Sequence, residues 1–136
     1  MKCEPMVMHC QSKLAVILYS LELQIRSEAA VNGVTSIAVQ AGCNKTSLAR
    51  HPDEEAYAAA VQRVGGLMKP WQGALPSLYA AAMKDARDGE LYEANEGGYS
   101  GCPTKAAITP QALDEVLSKK LWELAEEAVE FGFRRQ

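Results

Sequence analysis

The chain has 136 residues, of which 48% are apolar and 23% charged, and its formal net charge is −3. This length predicts one domain with enough chain to bury a core, and the composition excludes wholesale disorder, collagen and low-complexity sequence. The acidic balance argues against a nucleic-acid partner, and no apolar run approaches the roughly 18–20 residues of a transmembrane segment.

The first predicted elements are a long helix and a strand. Residues Ser12–Val31 predict a helix, because four apolar residues recur at helical spacing, namely Leu14, Leu18, Leu21 and Ile25. The helix is apolar nearly all round, which is typical of burial on more than one side. Asn32-Gly33 predicts its end, and the β-branched run Val34–Val39 predicts a buried strand.

The rest of the chain predicts further helices, one strand and a glycine-rich loop. In chain order these are a helix over Ala56–Val64, a second helix over Pro70–Ala86, a strand over Glu90–Ala94, the loop over Asn95–Ala107 and a last helix over Thr109–Gly132. Pro76 is expected to kink the second helix or to mark its true start. Thr109 is the expected N-cap of the last helix, with Pro110 at its first position.

The order of these elements predicts an α/β fold with a parallel sheet. About two parallel strands with four or so helices make an incomplete sheet, because a parallel sheet needs both faces covered and its edges protected. Only eleven residues precede the long helix and Pro5 interrupts them, so no strand is evident there. We therefore expect either a sheet that another chain completes or a piece of a larger fold.

Cysteine spacing predicts neither a metal site nor a disulfide framework. Cys3, Cys10, Cys43 and Cys102 form no C-x-x-C pair and no zinc-type cluster with histidine. We interpret them as reduced thiols in a soluble reducing compartment, cytoplasm or organelle interior, with a partial disulfide or a thiol that meets a partner chain as the alternatives. Residues 1–10 lack the features of a signal or transit peptide.

Short motifs follow one another in a familiar order between residues 9 and 132. They are Gln11–Ala15, Glu22-Leu23, Val34–Val39, Gly42 with Thr46, Gln72–Leu75, Leu78–Ala81, Gly89–Tyr92 and Lys119–Leu124. Together they resemble the second half of a short-chain dehydrogenase/reductase of the retinol-dehydrogenase-like and WW-domain-oxidoreductase-like branch. In that family the glycine-rich dinucleotide turn lies in the first half of a Rossmann-type domain. The resemblance implies one partial, incomplete Rossmann-type domain over 1–136 that lacks this dinucleotide-binding first half.

The resemblance also implies which residues occupy the family's active-site positions. The family uses a Tyr-x-x-x-Lys pair at the start of the long helix, in which the lysine holds the nicotinamide ribose and helps the phenol to exchange a proton. Here the lysine is retained as Lys13, and His9 stands at the tyrosine position. An imidazole is shorter than a phenol and would miss the substrate oxygen. We therefore expect His9 to be inactive, with a substitute acid–base role as the alternative.

A second family motif follows the predicted strand. Where the family has Pro-Gly-x-x-x-Thr, this chain has Ala41 to Thr46, so Gly42 and Thr46 match and the proline does not. The resemblance implies cofactor binding by Lys13, Gly42 and Thr46, with the Thr46 hydroxyl near the nicotinamide amide. Tyr57, Met68 and Trp71 fall in the region that covers substrate in the family, or form a partner contact. Trp71 and Trp122 are expected to be packing anchors.

Three functions remain open on the sequence. The favoured one is a non-catalytic remnant, a pseudoenzyme that serves as a structural or interaction subunit of a hetero-assembly and needs no cofactor by itself. The alternative is half of a split NAD(P)H-dependent oxidoreductase for a carbonyl or alcohol substrate, with NADP(H) bound once a partner supplies the missing half. The third is a fragment of a normal enzyme, against which His9 weighs, because truncation alone would leave the tyrosine in place.

Overall fold

The computed structural model describes residues 4–47 and 54–129. Its elements are α1 Pro5–Ala30, β1 Ala38–Val39, α2 Glu54–Arg63, α3 Pro70–Gly73, α4 Leu75–Ala82, β2 Leu91–Glu96, β3 Ser100–Ala106 and α5 Glu115–Val129, with a 3₁₀ turn over Pro110–Leu113. They form two compact units, one of residues 1–38 with 107–136 and one of residues 39–106.

The sheet has three strands in the order β1–β2–β3, with β1 and β2 parallel. The strands β2 and β3 pair antiparallel, from Leu91 opposite Ala106 to Glu96 opposite Ser100. The α/β class with a parallel strand pair is confirmed, but the prediction of a loop through residues 100–106 is wrong. Gly97 and Gly98, at φ 63° and 78°, form the turn of a hairpin, so the glycines connect two strands instead of ending regular structure.

The strand predicted over Val34–Val39 keeps only its last two residues as β1. Residues before it are tied to α1 instead of to a sheet partner. The Ser36 N–H donates to Gln24 Oε1 at 2.7 Å, and the Ser36 hydroxyl bonds the Ser20 hydroxyl at 2.8 Å. Because these side chains already occupy the polar groups of Ser36, the backbone there does not enter the ladder.

Helix α1 begins at Pro5, seven residues before the predicted start. The interpretation of Pro5 as an interruption is wrong, because proline fits the first turn of a helix, where its missing N–H is not needed. The helix ends at Ala30, and Val31 takes a left-handed conformation with φ 50°. The predicted stop at Asn32-Gly33 therefore lies within three residues of the observed end.

Helices α1 and α5 pack together in the first unit. Trp122 is buried between them, as expected of a packing anchor, and its ring stacks on Tyr19 with 4.6 Å between centroids. Asp114 caps α5, since its Oδ1 accepts from the N–H groups of Val116 and Leu117, both at 3.0 Å. The prediction of Thr109 as the cap of this helix is wrong, because Thr109 precedes the separate 3₁₀ turn.

In the second unit, the predicted helix over Pro70–Ala86 divides into α3 and α4 and ends at Ala82. Pro76 lies in the first turn of α4, so the restart expected there is confirmed. The Pro76 side chain is fully buried, and α4 packs on β2 and β3. Within residues 4–47 and 54–129, no helix combines the length and apolarity that spanning a bilayer requires.

Candidate functional site

The residues at the family's tyrosine and lysine positions lie near the start of α1. His9 and Lys13 are four residues apart, about one helical turn, and both are exposed. Every residue of the segment Pro5–Lys13, named here the α1 arm, is exposed. The Ser12 hydroxyl donates to the His9 carbonyl oxygen at 2.7 Å, a local bond within this arm. His9 and Lys13 therefore stand on a helical surface open to solvent.

The other two predicted site residues lie on one ordered loop, residues 41–46. Three backbone hydrogen bonds hold this loop: Cys43 N–H to the Tyr99 carbonyl at 2.9 Å, Met68 N–H to the Cys43 carbonyl at 2.9 Å, and Lys45 N–H to the Met68 carbonyl at 3.0 Å. Asn44 and Met68 thereby form an isolated parallel bridge. Tyr99 in the hairpin turn and Met68, two residues before α3, thus fix the loop from two directions.

Gly42 is the residue of this loop that the structure constrains most. Its φ is 68°, and a Cβ built on it would lie 2.6 Å from the Tyr99 carbonyl oxygen and 2.7 Å from Met68 Cε. The left-handed conformation already disfavours any side chain, and the contacts leave no room for one. Gly42 therefore has a structural reason to be glycine, separate from the cofactor role that the resemblance implies.

Asn44 supports the loop from within. Its Nδ2 donates to the carbonyl oxygens of Ala41 at 2.8 Å and Gly42 at 3.2 Å. Its side chain lies against Gly73, where an added Cβ would come within 2.4 Å of the amide. Thr46, at the end of the loop, is exposed. Gly42 and Thr46 thus share one loop, His9 and Lys13 share one helical turn, and the two pairs belong to different units.

Sequence reasoning missed Asn44, Gly73 and Tyr99 as supports of the loop. The sequence carried one usable signal, the Gly97-Gly98 pair between two runs of strand length, which marks a hairpin and places Tyr99 beside its turn. Asn44 and Gly73 meet through tertiary packing, for which no local pattern exists.

A second polar cluster joins the hairpin to the segment before it. The Tyr92 hydroxyl donates to Glu90 Oε2, Lys105 Nζ pairs with Glu90 Oε1, and the Arg87 N–H donates to the Tyr92 oxygen at 3.2 Å. The bond from Lys105, with that from Tyr92, lowers the pKa of Glu90. The same Glu90 carboxylate raises the pKa values of Tyr92 and Lys105.

Tyr79 extends this cluster. Its hydroxyl donates to Asp85 Oδ2 at 2.6 Å, which raises the pKa of Tyr79. The rings of Tyr79 and Tyr92 are tilted, with 5.2 Å between their centroids. Both phenols are held by carboxylates, and their raised pKa values make them poor proton donors near neutral pH. This arrangement fits a role in holding α4 on the hairpin.

Replacing Glu90 by glutamine is expected to change how stability depends on pH. Glu90 has a lowered pKa in the folded chain, so its contribution is present above its ordinary value of 4.5 and is lost as the pH falls through the folded-state value. Urea midpoints of the wild type and the Glu90→Gln variant should differ at pH 7 and approach each other as the pH falls below 4.5. The exposed Glu123→Gln variant serves as the control, and a Glu90→Gln difference that does not shrink as the pH falls below 4.5 would refute the assignment.

The remaining predicted residues are placed as follows. Cys10 and Cys102 are exposed and Cys43 is half-buried, all three are free thiols, and Cys3 falls outside the described residues. Met68 is buried and Tyr57 half-buried. Trp71 is 62% exposed, so its prediction as a packing anchor is wrong. In the described part of the chain, no group of three or more His, Cys, Asp or Glu side chains is placed to hold a metal ion.

Comparison with known proteins gives sequence relatives and a structural neighbour, although no family model matches. The chain is 31% identical to human retinol dehydrogenase 13 over 119 residues, which cover 84% of this chain and 34% of that protein. It is 31% identical to mouse retinol dehydrogenase 14 over 121 residues, 87% of this chain and 34% of that protein. A crystal structure of an uncharacterized protein from Mycobacterium paratuberculosis matches with a TM-score of 0.72 and 27% identity, over 98% of this chain and 42% of that one. The chain thus spans about a third of the length of these curated relatives.

Proposed function

Since the chain is a homologue of retinol dehydrogenases of the short-chain dehydrogenase/reductase family and spans about a third of the length of these relatives, we propose that it is a non-catalytic member that acts as an interaction subunit of a larger assembly. Two features support this proposal, one chemical and one physical. The chemical feature is the residue at the position of the family's proton donor. The physical feature is the exposure of the α1 arm.

The chemical support comes from His9. Reduction of a carbonyl needs a hydride at carbon and a proton at oxygen, and a proton donor must come within hydrogen-bond reach of that oxygen. A tyrosine at position 9 would extend its hydroxyl well beyond the helix, and Lys13 would assist it. The imidazole of His9 ends closer to the backbone, so a substrate placed for a phenol lies out of its reach. Lys13 alone supplies no proton donor of the required geometry.

The observation that carries the proposal is the apolar exposure of the α1 arm. Met6, Val7 and Met8 are 70%, 53% and 49% exposed in consecutive positions of a regular helix. Fully covering one such side chain is worth about 1.5–3 kcal/mol. The arm is therefore best explained as a surface that another polypeptide covers.

Serine substitutions in the arm test this proposal. The native particle that contains the chain, purified from its source, should have the mass of a hetero-assembly. The combined Met6→Ser and Met8→Ser variant should weaken incorporation at least tenfold, because two covered methionines are worth several kcal/mol. Its unfolding midpoint as a free chain should stay within error of the wild type, because neither side chain is buried there.

Val116→Ser is the matched control, since Val116 is 78% exposed on α5 and lies outside the arm. It should enter the particle as the wild type does. Equal incorporation of the arm variant and the control would contradict the proposal, as would a native particle that consists of this chain alone as a compact monomer.

One observation favours the alternative, half of a split NAD(P)H-dependent oxidoreductase. The 41–46 loop, which carries Gly42 and Thr46, is held by backbone hydrogen bonds to Tyr99 and Met68. With NADP(H) supplied through a partner's dinucleotide-binding half, Lys13 would hold the ribose and Thr46 the nicotinamide amide. His9 would then have to protonate the carbonyl oxygen as the dinucleotide supplied the hydride. This alternative predicts NADPH binding that depends on Lys13, whereas the non-catalytic proposal predicts that Lys13 makes no contribution to any NADPH binding.

A further inference from the structure

The distribution of charge along the chain is uneven in one segment. The chain has 17 acidic residues, yet none lies between Glu55 and Asp85. That interval holds three basic residues, Arg63, Lys69 and Lys84, so it carries a formal charge of +3 in a chain of net charge −3. Helices α3 and α4 lie within this interval.

Helices α3 and α4 share an apolar outer face. Ala74 joins them in a helical conformation, φ −79° and ψ −16°, so positions spaced by three, four or seven residues fall on one side. Trp71 is 62% exposed and Leu78 is 59% exposed. Ala74, which lies between them, and Ala81, which follows Leu78, are also exposed. We name these four residues the 71–81 face. No charged residue interrupts it.

The opposite side of the same helices is the packed one. Gly73 and Pro76 are buried, and α4 packs on β2 and β3. Helices on the surface of a soluble domain usually turn their polar side to water. Here the side turned to solvent is apolar and includes a tryptophan. This exposed apolar face is therefore a candidate interaction surface.

The flanking charges indicate what covers this face. Lys69 directly precedes α3 and Lys84 follows α4 by two residues, and both are exposed. Lysine is depleted in protein–protein interfaces, whereas lysines beside an apolar helix face with tryptophan are typical of helices that lie on anionic bilayers. The amphipathic indole and the long lysine stems suit the boundary between headgroups and acyl chains.

We propose that the 71–81 face docks on an anionic phospholipid surface, with Trp71 and Leu78 at the acyl boundary and Lys69 and Lys84 at the headgroups. This contact is separate from the α1 arm and does not depend on the proposed non-catalytic role. It requires no spanning segment, because the helices lie in the plane of the interface.

Vesicle flotation of the full chain tests the proposal. Binding is expected to vesicles of phosphatidylcholine with 30% phosphatidylglycerol, to be weak on phosphatidylcholine alone, and to fall as salt is raised. Lys69→Gln and Lys84→Gln should each weaken binding about fivefold. Leu78→Ser should weaken it at least tenfold. Lys120→Gln and Val116→Ser, both exposed on α5, are the matched controls and should bind as the wild type does.

Tryptophan fluorescence places the contact on the chain. In a Trp122→Phe background, Trp71 is the only tryptophan, and its emission should shift to the blue and be quenched by brominated lipid. Equal binding by Leu78→Ser and the controls, or an unchanged Trp71 spectrum on bound vesicles, would overturn the proposal. So would concentration-dependent self-association abolished by Leu78→Ser without any binding to vesicles, since the face would then be a protein contact.

Discussion

Replacing Gly42 by alanine is expected to lower the free energy of unfolding by about 3 kcal/mol. The left-handed conformation at φ 68° accounts for about 1–2 kcal/mol. The rest comes from displacing the Tyr99 carbonyl and Met68 Cε, which lie 2.6 and 2.7 Å from the added Cβ. The loss of stability is expected in the 41–46 loop, because the Cys43 N–H donates its hydrogen bond to that same Tyr99 carbonyl.

Gly65→Ala provides the matched control for this prediction. Gly65 has nearly the same conformation, φ 75°, in the same unit, but nothing lies within 4 Å of its built Cβ. The control variant should therefore lose only the conformational part, about 1–2 kcal/mol. Urea denaturation of both variants measures how much of the lost unfolding free energy comes from steric contact of the added Cβ with Tyr99 and Met68. Equal losses for the two variants would show that the loop is not held against Tyr99 and Met68 as described.

Replacing Glu22 by alanine is expected to destabilise the chain by about 3 kcal/mol. Glu22 is 2% exposed in the first unit, and its Oε1 accepts from Arg26 Nε at 2.7 Å. Its Oε2 accepts from the Ser118 hydroxyl at 3.3 Å, and the Arg26 guanidinium lies over the Trp122 ring at 4.7 Å. Removing the carboxylate leaves the Arg26 guanidinium without its acceptor beside a buried indole, and removing one partner of a buried ion pair is strongly destabilising. The Ser118 hydroxyl keeps the Glu115 carbonyl oxygen as an acceptor at 3.1 Å.

The chain offers an exposed ion pair of the same spacing as the control. Glu115 and Lys119 lie 3.3 Å apart on α5 with side chains that are 72% and 54% exposed. Glu115→Ala should cost no more than about 0.5 kcal/mol, because exposed pairs four residues apart on a helix contribute little. Thermal and urea unfolding of both variants measure the contrast. A loss below about 1 kcal/mol for Glu22→Ala would mean that burial does not strengthen this pair.

Local sequence patterns predicted the elements whose signals are self-contained. The strand at Leu91–Glu96, the short helix α2 and the restart at Pro76 each follow from residues within a few positions. The patterns failed where two interpretations share one signal. Proline both interrupts and begins helices, so Pro5 was misread, and paired glycines mark both loops and hairpin turns, so β3 was missed.

The interior of the first unit lay beyond local patterns for a different reason. Apolar periodicity predicts Ile25 as part of the packed stripe, yet Ile25 is 47% exposed, while Glu22 and Gln24 are buried. These polar residues are buried because they find partners distant in the chain, Ser118 and Ser36. The contact between Asn44 and Gly73, which supports the 41–46 loop, is of the same kind. Pairings of this kind depend on tertiary packing and have no spacing that a single sequence reveals.

The roles of the four residues assigned by the family resemblance are not settled by the fold. Within the first unit, His9 and Lys13 share a helical turn, and within the second, Gly42 and Thr46 share a loop. The structure establishes these two placements and no chemical role. Their chemical roles are predictions for experiment. The choice between an interaction subunit and a split enzyme depends on whether Lys13 contributes to binding a dinucleotide.

The affinity of the purified native particle for NADPH, with Lys13 present and with Lys13→Ala, therefore tests the central claim most directly. The non-catalytic account predicts that the substitution leaves NADPH binding unchanged, even where another subunit of the particle binds the dinucleotide. A loss of tenfold or more on Lys13→Ala, in a particle whose mass and composition are unaltered, would contradict the account and favour the split oxidoreductase.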